Sequence, residues 1–450
     1  MTYTYFADLG SWFFIAFLIS LFLGTAMSSF LSWLNSDKPN LKSKVGRLHS
    51  LGEVARKMLP FGKIRKALRY KRTVDGFSDL VETIDSGATV LMLLFGILPF
   101  LIATFHFAFP TIGMVWCFIA ATTALSLVNN LVYSPAEYYE DFVIEQKYGF
   151  NTKTMKTFIV DKLKGVPICI VMSTAMYLVL DWALKLLPGT DGGSISIMGL
   201  VLFVLGAAMF KTVLQWTSLN VIMPLFNEFK PLEDGPLKVK LEELCGRCGV
   251  HLTKIEVMDA SKRSRHSNAF ICGMWRKRIV LFDTLFKDFT DDEIVSIVAH
   301  EIGHGKLHHL LLIDLQDMLS TALYVFTAFV LMVNPNFYHA FGYSWVNSRN
   351  LVENYVIGFY LASMFVKSFT WVLTPVVSWI SRKMEYAADR YAVEHTENAE
   401  SMKNALVKLT AENLSDVFPH PAYEAVYYSH PSIINRVEAL GESKERNKDM

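Results

Sequence analysis

The sequence predicts an all-α polytopic membrane protein that carries a small soluble α+β unit. Three observations lead there. Of its 450 residues 52% are hydrophobic, 33 of them Phe; the mean hydropathy is +0.30; and seven stretches each approach the roughly 20 apolar residues that a helix needs to cross a bilayer. An ordinary soluble enzyme has no use for that much apolar surface. The formal net charge of +1, with no RNA- or DNA-binding signature, excludes nucleic acid as a partner.

The predicted spans are Leu9–Leu34, Ala88–Phe109, Met114–Tyr133, Gly165–Leu187, Ile195–Val221, Met318–Tyr338 and Tyr355–Ile380. Charge follows the first span instead of preceding it, so it reads as an anchor and not as a cleaved signal peptide. The sixth ends its clean apolar core at Val333, before Asn334 and Pro335. Lys38 to Arg72 holds twelve Lys and Arg, whereas the residues before Trp12 and the hairpin Pro188–Ser194 hold none. The positive-inside rule therefore sets the N-terminus in the lumen or exterior. Seven crossings then leave 134–164, 227–311 and the tail after Ser381 in the cytosol. The expected organisation is 1–226, with spans one to five and cytosolic loops 35–87 and 134–164; 227–312, the soluble unit; 313–380, spans six and seven; and 381–450, a cytosolic C-terminal segment.

Within the soluble unit Leu237–Cys245 has helical spacing and Lys254–Met258 alternates like a strand. Ala269–Cys272 and Arg278–Leu281 read as a hairpin around Gly273. Asp291–Leu312 follows as a helix opened by Thr290 or Asp291. On it stands His300-Glu301-Ile302-Gly303-His304. Two His four apart lie on one stripe and can aim two imidazole nitrogens at one tetrahedral metal. Glu301, about a quarter turn away, then sits beside the open position, where it can take a proton from water and pass it to a leaving amine. A longer His-rich zinc signature is ruled out, because Leu307 and Leu310 stand where it needs Gly and His. His308 and His309 read as polar residues at the membrane boundary.

The third ligand must come from another helix. Glu385 supplies a carboxylate, and Asp389, four residues on, shares its face and can accept a hydrogen bond from a ligand imidazole. His300 precedes span six and Glu385 follows span seven, so the charge rule places both on one side. At about 1.5 Å per residue both lie near the bilayer surface, which points to a substrate that is itself held at the membrane. A strand beside such a metal can hold an extended peptide by main-chain hydrogen bonds, and Arg278, Ile279, Val280 and Leu281 form the candidate strand.

The five cysteines include a lone CxxC at Cys245 and Cys248 with no partner pair, so neither a structural zinc nor a disulfide is expected. Asp181 and Lys185 read as an interfacial pair. Lys211 and Lys367 lie deep enough in their spans to face an internal aqueous space.

Taken in order, the HEIGH helix, Glu385-Tyr386-Ala387-Ala388-Asp389, Ser264–Phe270, Phe142–Phe150, Pro224–Gly235 and Ser429-His430-Pro431 resemble the type I CAAX prenyl protease family. The resemblance implies a seven-helix transmembrane barrel around a large water-filled chamber, capped on the cytosolic side by a gluzincin-type zinc metalloprotease domain. It implies one Zn2+ per chain, membrane lipids as surroundings, and farnesylated CAAX proteins or peptides as substrates, cut before their last three residues and in some members again upstream. It also implies that Asn268 and His430 stand near the substrate carbonyl and its oxyanion, with Arg436 as a further candidate. Location follows as the endoplasmic reticulum, with the inner nuclear membrane continuous with it, or the inner membrane of a prokaryote. No dilysine ending is present at Glu445–Met450. Two rival readings are a quality-control metalloprotease indifferent to prenylation and a non-catalytic scaffold or transporter braced by zinc; a Glu at position 301 has no purpose in the latter.

Overall fold

The computed structural model describes residues 5–36, 41–50, 52–185, 196–250, 252–272 and 277–446. The hairpin expected at Pro188–Ser194 and the turn at Gly273 lie outside them. The membrane part is built from α1 (Trp12–Ser36), α2 (Phe61–Leu94), α3 (Ile97–Ala108), α4 (Met114–Tyr139), α5 (Met155–Leu184) and α6 (Ile197–Thr217). The soluble unit contributes β1 (Phe229–Pro231), α7 (Pro236–Arg247), β2 (Leu252–Met258), β3 (Ala269–Cys272), β4 (Lys277–Phe282) and α8 (Asp291–Lys306). Then come α9 (His309–Met332), α10 (Tyr355–Lys367), α11 (Thr374–Thr396), α12 (Ala399–Glu412), α13 (Pro421–Tyr427) and α14 (Ile433–Arg446).

Among the described residues six helices are long and apolar enough to cross a membrane, and α2 with α3 makes a seventh if that pair, bent by 51°, is one span. The bend falls at Gly96, whose φ is +60° and where a Cβ would meet the Tyr5 carbonyl oxygen at 1.7 Å. No side chain fits there, so glycine marks the turn. No residue in the most apolar stretch of Met155–Leu184 is buried, and few are in Ile197–Phe226. These two spans therefore pack against the rest of the chain along little of their surface, in contrast to helices of a close-packed bundle.

The ends of the spans differ from expectation wherever charge was read as the end of a helix. The stretches 35–87 and 134–164 are largely helical. Helix α2 carries its Lys- and Arg-rich turns out of the apolar zone, and α4 runs on through a π-helical turn at Glu140–Glu145 to Tyr148. Charged residues keep helical geometry in water as readily as apolar ones do in lipid. Span six is His309–Met332 and not Met318–Tyr338. Asp314 and Asp317 belong to it because both pair with Lys211 across α6 and α9. Lys367 is exposed at the end of α10, and Lys185 pairs with Asp181 at 2.7 Å. Span seven ends at Val372, and Pro375 near the start of α11 opens a new helix.

The four strands lie in the order β1-β2-β4-β3, with β2 and β4 parallel and the outer pairs antiparallel. The core beneath the sheet gathers Leu48 and Leu59 from before α2, Ile64 at its start, Leu241 and Leu244 of α7, Ile297 and Val298 of α8, and Leu406 and Val437 from the C-terminal helices. The soluble unit therefore draws on three distant parts of the chain. A second core, with Phe14, Phe118, Phe337, Tyr338 and Tyr355, joins α1, α4, α9 and α10.

Candidate metal centre

Helix α8 begins with a reciprocal cap. Thr290 Oγ1 accepts from the Glu293 N–H while the Glu293 carboxylate accepts from the Thr290 N–H, which satisfies two of the helix's free donors. The helix is buried from Glu293 to His300. It crosses α11 so closely that a Cβ at Gly303 would meet the Tyr391 ring at 3.1 Å. Gly303 and the buried Ala388 are the small residues that let the two helices bring their polar side chains together.

At that crossing the His300 and His304 Nε2 atoms are 3.2 Å apart. Glu385 places Oε2 3.4 Å from His300 Nε2 and Oε1 3.2 Å from His304 Nε2. A tetrahedral ion with bonds of 2.0–2.1 Å needs ligand atoms about 3.3 to 3.4 Å apart. The described residues bring together no other group of His, Cys, Asp or Glu in this way. Glu385 Oε2 is buried without a well-aligned donor, as suits an oxygen that ligates a metal.

The electrostatics favour positive charge at this point. Burial pushes the His300 ring down, yet Asp389 and Glu385 outweigh it and raise its pKa to about 9. Burial alone would raise Glu385, but His300, His304 and His430 hold it far below the carboxylate range. A dication supplies the charge that these carboxylates demand. Zn2+ fits the nitrogen and oxygen donor set. Glu301, raised by burial, has no hydrogen bond or ion pair to another described residue, so its carboxylate is not committed elsewhere.

Asp389 Oδ1 lies 2.8 Å from His300 Nδ1. Arg436 grips the same carboxylate with both prongs, Nε to Oδ2 at 2.8 Å and Nη2 to Oδ1 at 2.5 Å, and its Nη1 is 3.5 Å from Glu385 Oε2. Arg436 was expected near a substrate carbonyl. It grips Asp389, since a carboxylate this deeply buried requires a paired cation, and it also stands beside Glu385 at the centre. Arg436→Leu should lose about 3 to 5 kcal/mol of stability by stranding Asp389; chemical unfolding in detergent measures it, and a loss under about 1 kcal/mol would show the pair to be dispensable.

His430 Nδ1 is 2.7 Å from Glu385 Oε2 although the side chain is 65% exposed. Its loop is braced from both sides. Arg382 Nη1 donates to the Glu424 and Tyr428 carbonyls, both at 2.8 Å, and Glu424 Oε1 accepts from the Ser432 N–H at 2.8 Å. Asn268 lies at the mouth of β3, its Oδ1 accepting from the Ala269 N–H at 2.8 Å. Among the described residues it makes no hydrogen bond to the three converging side chains. Just before it, the Asn413 side chain bonds both the N–H and the carbonyl of Ser267.

The candidate substrate strand needs correction. Arg278, Ile279, Val280 and Leu281 form β4, which lies between β2 and β3 and has no free edge. Ile279, Val280 and Leu281 are fully buried, and Arg278 bonds Glu256 and the Leu219 carbonyl. The edge beside α8 belongs to β3. The Phe282 N–H donates to the Asn268 carbonyl, so alternation along an antiparallel pair turns the Ala269 carbonyl and both main-chain groups of Ile271 outward.

Sequence reasoning also missed Arg382, Glu424, Asn413 and His309. Arg382 and Asn413 act on main-chain groups 42 or more residues away and Glu424 on one eight residues away, and none of these contacts leaves a periodic pattern. His309 was read as a boundary residue, but it is buried, with Nδ1 3.1 Å from His304 Nδ1. Its adjacency in sequence to the HExxH helix was the available signal.

Two family models match the chain: CAAX prenyl protease N-terminal, five membrane helices, over residues 44–228, and peptidase family M48 over residues 231–444. A Saccharomyces cerevisiae protein, CAAX prenyl protease 1, is 35% identical across 79% of this chain and 78% of its own length. The chain belongs to the CAAX prenyl protease 1 family of M48 peptidases. A probable CAAX prenyl protease 1 of Schizosaccharomyces pombe is 33% identical over 84% of this chain and 79% of its own. The crystal structure of S. mikatae Ste24p superposes with a TM-score of 0.80 at 27% identity, covering 96% of this chain and 99% of that one. This CAAX prenyl protease 1 family member is accordingly a membrane-spanning metalloprotease, and the buried His-His-Glu group is its candidate metal centre.

Proposed function

We propose that this metalloprotease uses one Zn2+, held by His300, His304 and Glu385, to remove the last three residues of farnesylated C-terminal CAAX sequences at the cytosolic face of the endoplasmic reticulum, with its N-terminus in the lumen. The observation that carries the reading is where the centre sits. Both helices that bear it adjoin membrane spans, since α8 ends at Lys306, just before α9 starts at His309, and α11 starts at Thr374, two residues past Val372. Glu385 is about 16 Å along α11 from its first residue. A centre at that height meets a chain end that a prenyl group keeps at the bilayer.

The chemistry that a bound zinc supplies is polarisation of the scissile carbonyl and acidification of water, from a pKa of about 16 toward 7. The chain's own groups do the rest. The outward main-chain groups of Ala269 and Ile271 hold the peptide extended beside α8. Glu301 takes the proton of the attacking water and delivers it to the departing amine. His430, as an imidazolium that donates Nδ1–H to Glu385, also offers Nε2–H to the oxyanion, and Asn268 at the mouth of the edge strand is the second donor. Each such donor is worth about 2.7 to 4 kcal/mol of barrier.

One peptide offered with and without its farnesyl group, in detergent and with a chelator control, tests the reading. Cleavage of the farnesylated peptide alone, abolished by the chelator, is expected. Equal cleavage of both would replace this reading with membrane-protein quality control, and cleavage of neither would leave a non-catalytic role.

A further inference from the structure

The two imidazoles at the centre are backed by different groups. His300 turns Nδ1 to the Asp389 carboxylate at 2.8 Å. His304 turns Nδ1 to a third imidazole, that of His309, at 3.1 Å, with the two rings at 72° to each other. Two bare ring nitrogens do not attract, so one of them carries a proton. His304 Nε2 faces the shared point between His300 and Glu385, and a nitrogen that ligates a metal must be unprotonated. The proton of His304 therefore lies on Nδ1, and His309 Nδ1 accepts it.

The backbone is bent to make this contact. On an unbroken helix His309 would stand roughly 140° around the axis from His304 and face away. His308 instead takes a left-handed conformation, φ 56°, which ends α8 and starts α9. Such a conformation is disfavoured for a side chain larger than glycine, so tertiary structure holds it in place. Its result is a buried ring, 5% exposed, returned to the face of its neighbour.

We infer that His309 is a positioning residue for the metal centre: its Nδ1 accepts the His304 Nδ1–H and so fixes the His304 tautomer and ring orientation with Nε2 toward the metal. The inference rests on the zinc reading of the centre. It also explains why the helix break falls at 308, since one residue more or fewer would carry the ring off the His304 face.

The test compares His309→Leu with His309→Gln in the purified full-length protein. The readouts are zinc affinity by chelator competition and the visible absorption spectrum after cobalt replacement. The Leu variant should bind zinc 10- to 100-fold more weakly with an altered cobalt spectrum, in line with the loss of a partner behind a ligand imidazole. The Gln variant, whose amide oxygen can accept the same proton, should recover most of the affinity and the original spectrum. Zinc affinity within twofold of the parent in the Leu variant would overturn the assignment. So would a folded Gln variant that has lost affinity and spectrum, and that comparison decides alone if the Leu variant fails to fold. Retention of full metal by His304→Ala would instead overturn the centre itself.

Discussion

Replacing Glu301 with Gln should leave one metal per chain and lower peptide cleavage by about 10³-fold or more. The amide keeps the volume and the hydrogen-bonding reach of the carboxylate and loses only its ability to take a proton. Metal content should not change, because His300, His304 and Glu385 converge on one another without any contribution from Glu301. The expected signature is thus a loss in kcat with metal occupancy intact. Elemental analysis beside steady-state kinetics on the same preparation gives both quantities. Activity within tenfold of the parent would remove Glu301 as the base.

Glu385→Ala should fail differently, with metal lost first and activity as a consequence. The carboxylate spans both imidazoles, at 3.4 Å from His300 and 3.2 Å from His304, and also faces His430 and Arg436. Removing it leaves two ring nitrogens and a buried arginine with less negative charge to balance them, so the site turns from one that attracts a cation to one that repels it. Loss of a supporting residue behind a metal ligand costs 10- to 100-fold in affinity, and loss of a ligand should exceed about 100-fold. Full metal occupancy in the purified variant would reject Glu385 as a ligand. The two variants together separate chemistry from metal binding.

The parts of this site that were readable in advance share a short range. His300, Glu301 and His304 lie within one helical turn and a little more, so their relation follows from helix geometry. Asp389 follows Glu385 by the same four-residue step. That α8 and α11 would meet could be argued only indirectly, from both helices facing the same side of the membrane. Their contact depends on Gly303 and Ala388 being small where the helices cross, which becomes visible once they are packed.

What escaped the reading has a common cause in contacts between residues distant in sequence. Strand β4 was the candidate to hold an extended substrate beside the metal, which needs a free edge. Its parallel pairing with β2, more than 20 residues earlier, puts it inside. Arg436 belongs to Asp389, 47 residues away. Neither pairing leaves a periodic trace. The helices also outran the hydropathy: Asp314 and Asp317 looked like the end of apolar character, yet Lys211 on another helix satisfies them.

Composition and periodicity alone settled that the chain enters a membrane several times and that one helix carries two imidazoles and a carboxylate at metal-binding spacing, because both follow from local rules of hydration and helix rise. Which strand offers a free edge, which cation neutralises Asp389 and where the backbone turns to bring His309 behind His304 were left to the packed molecule. Each of those depends on burial and on pairing across the fold, and water supplies the same partners to any order of residues until the fold excludes it.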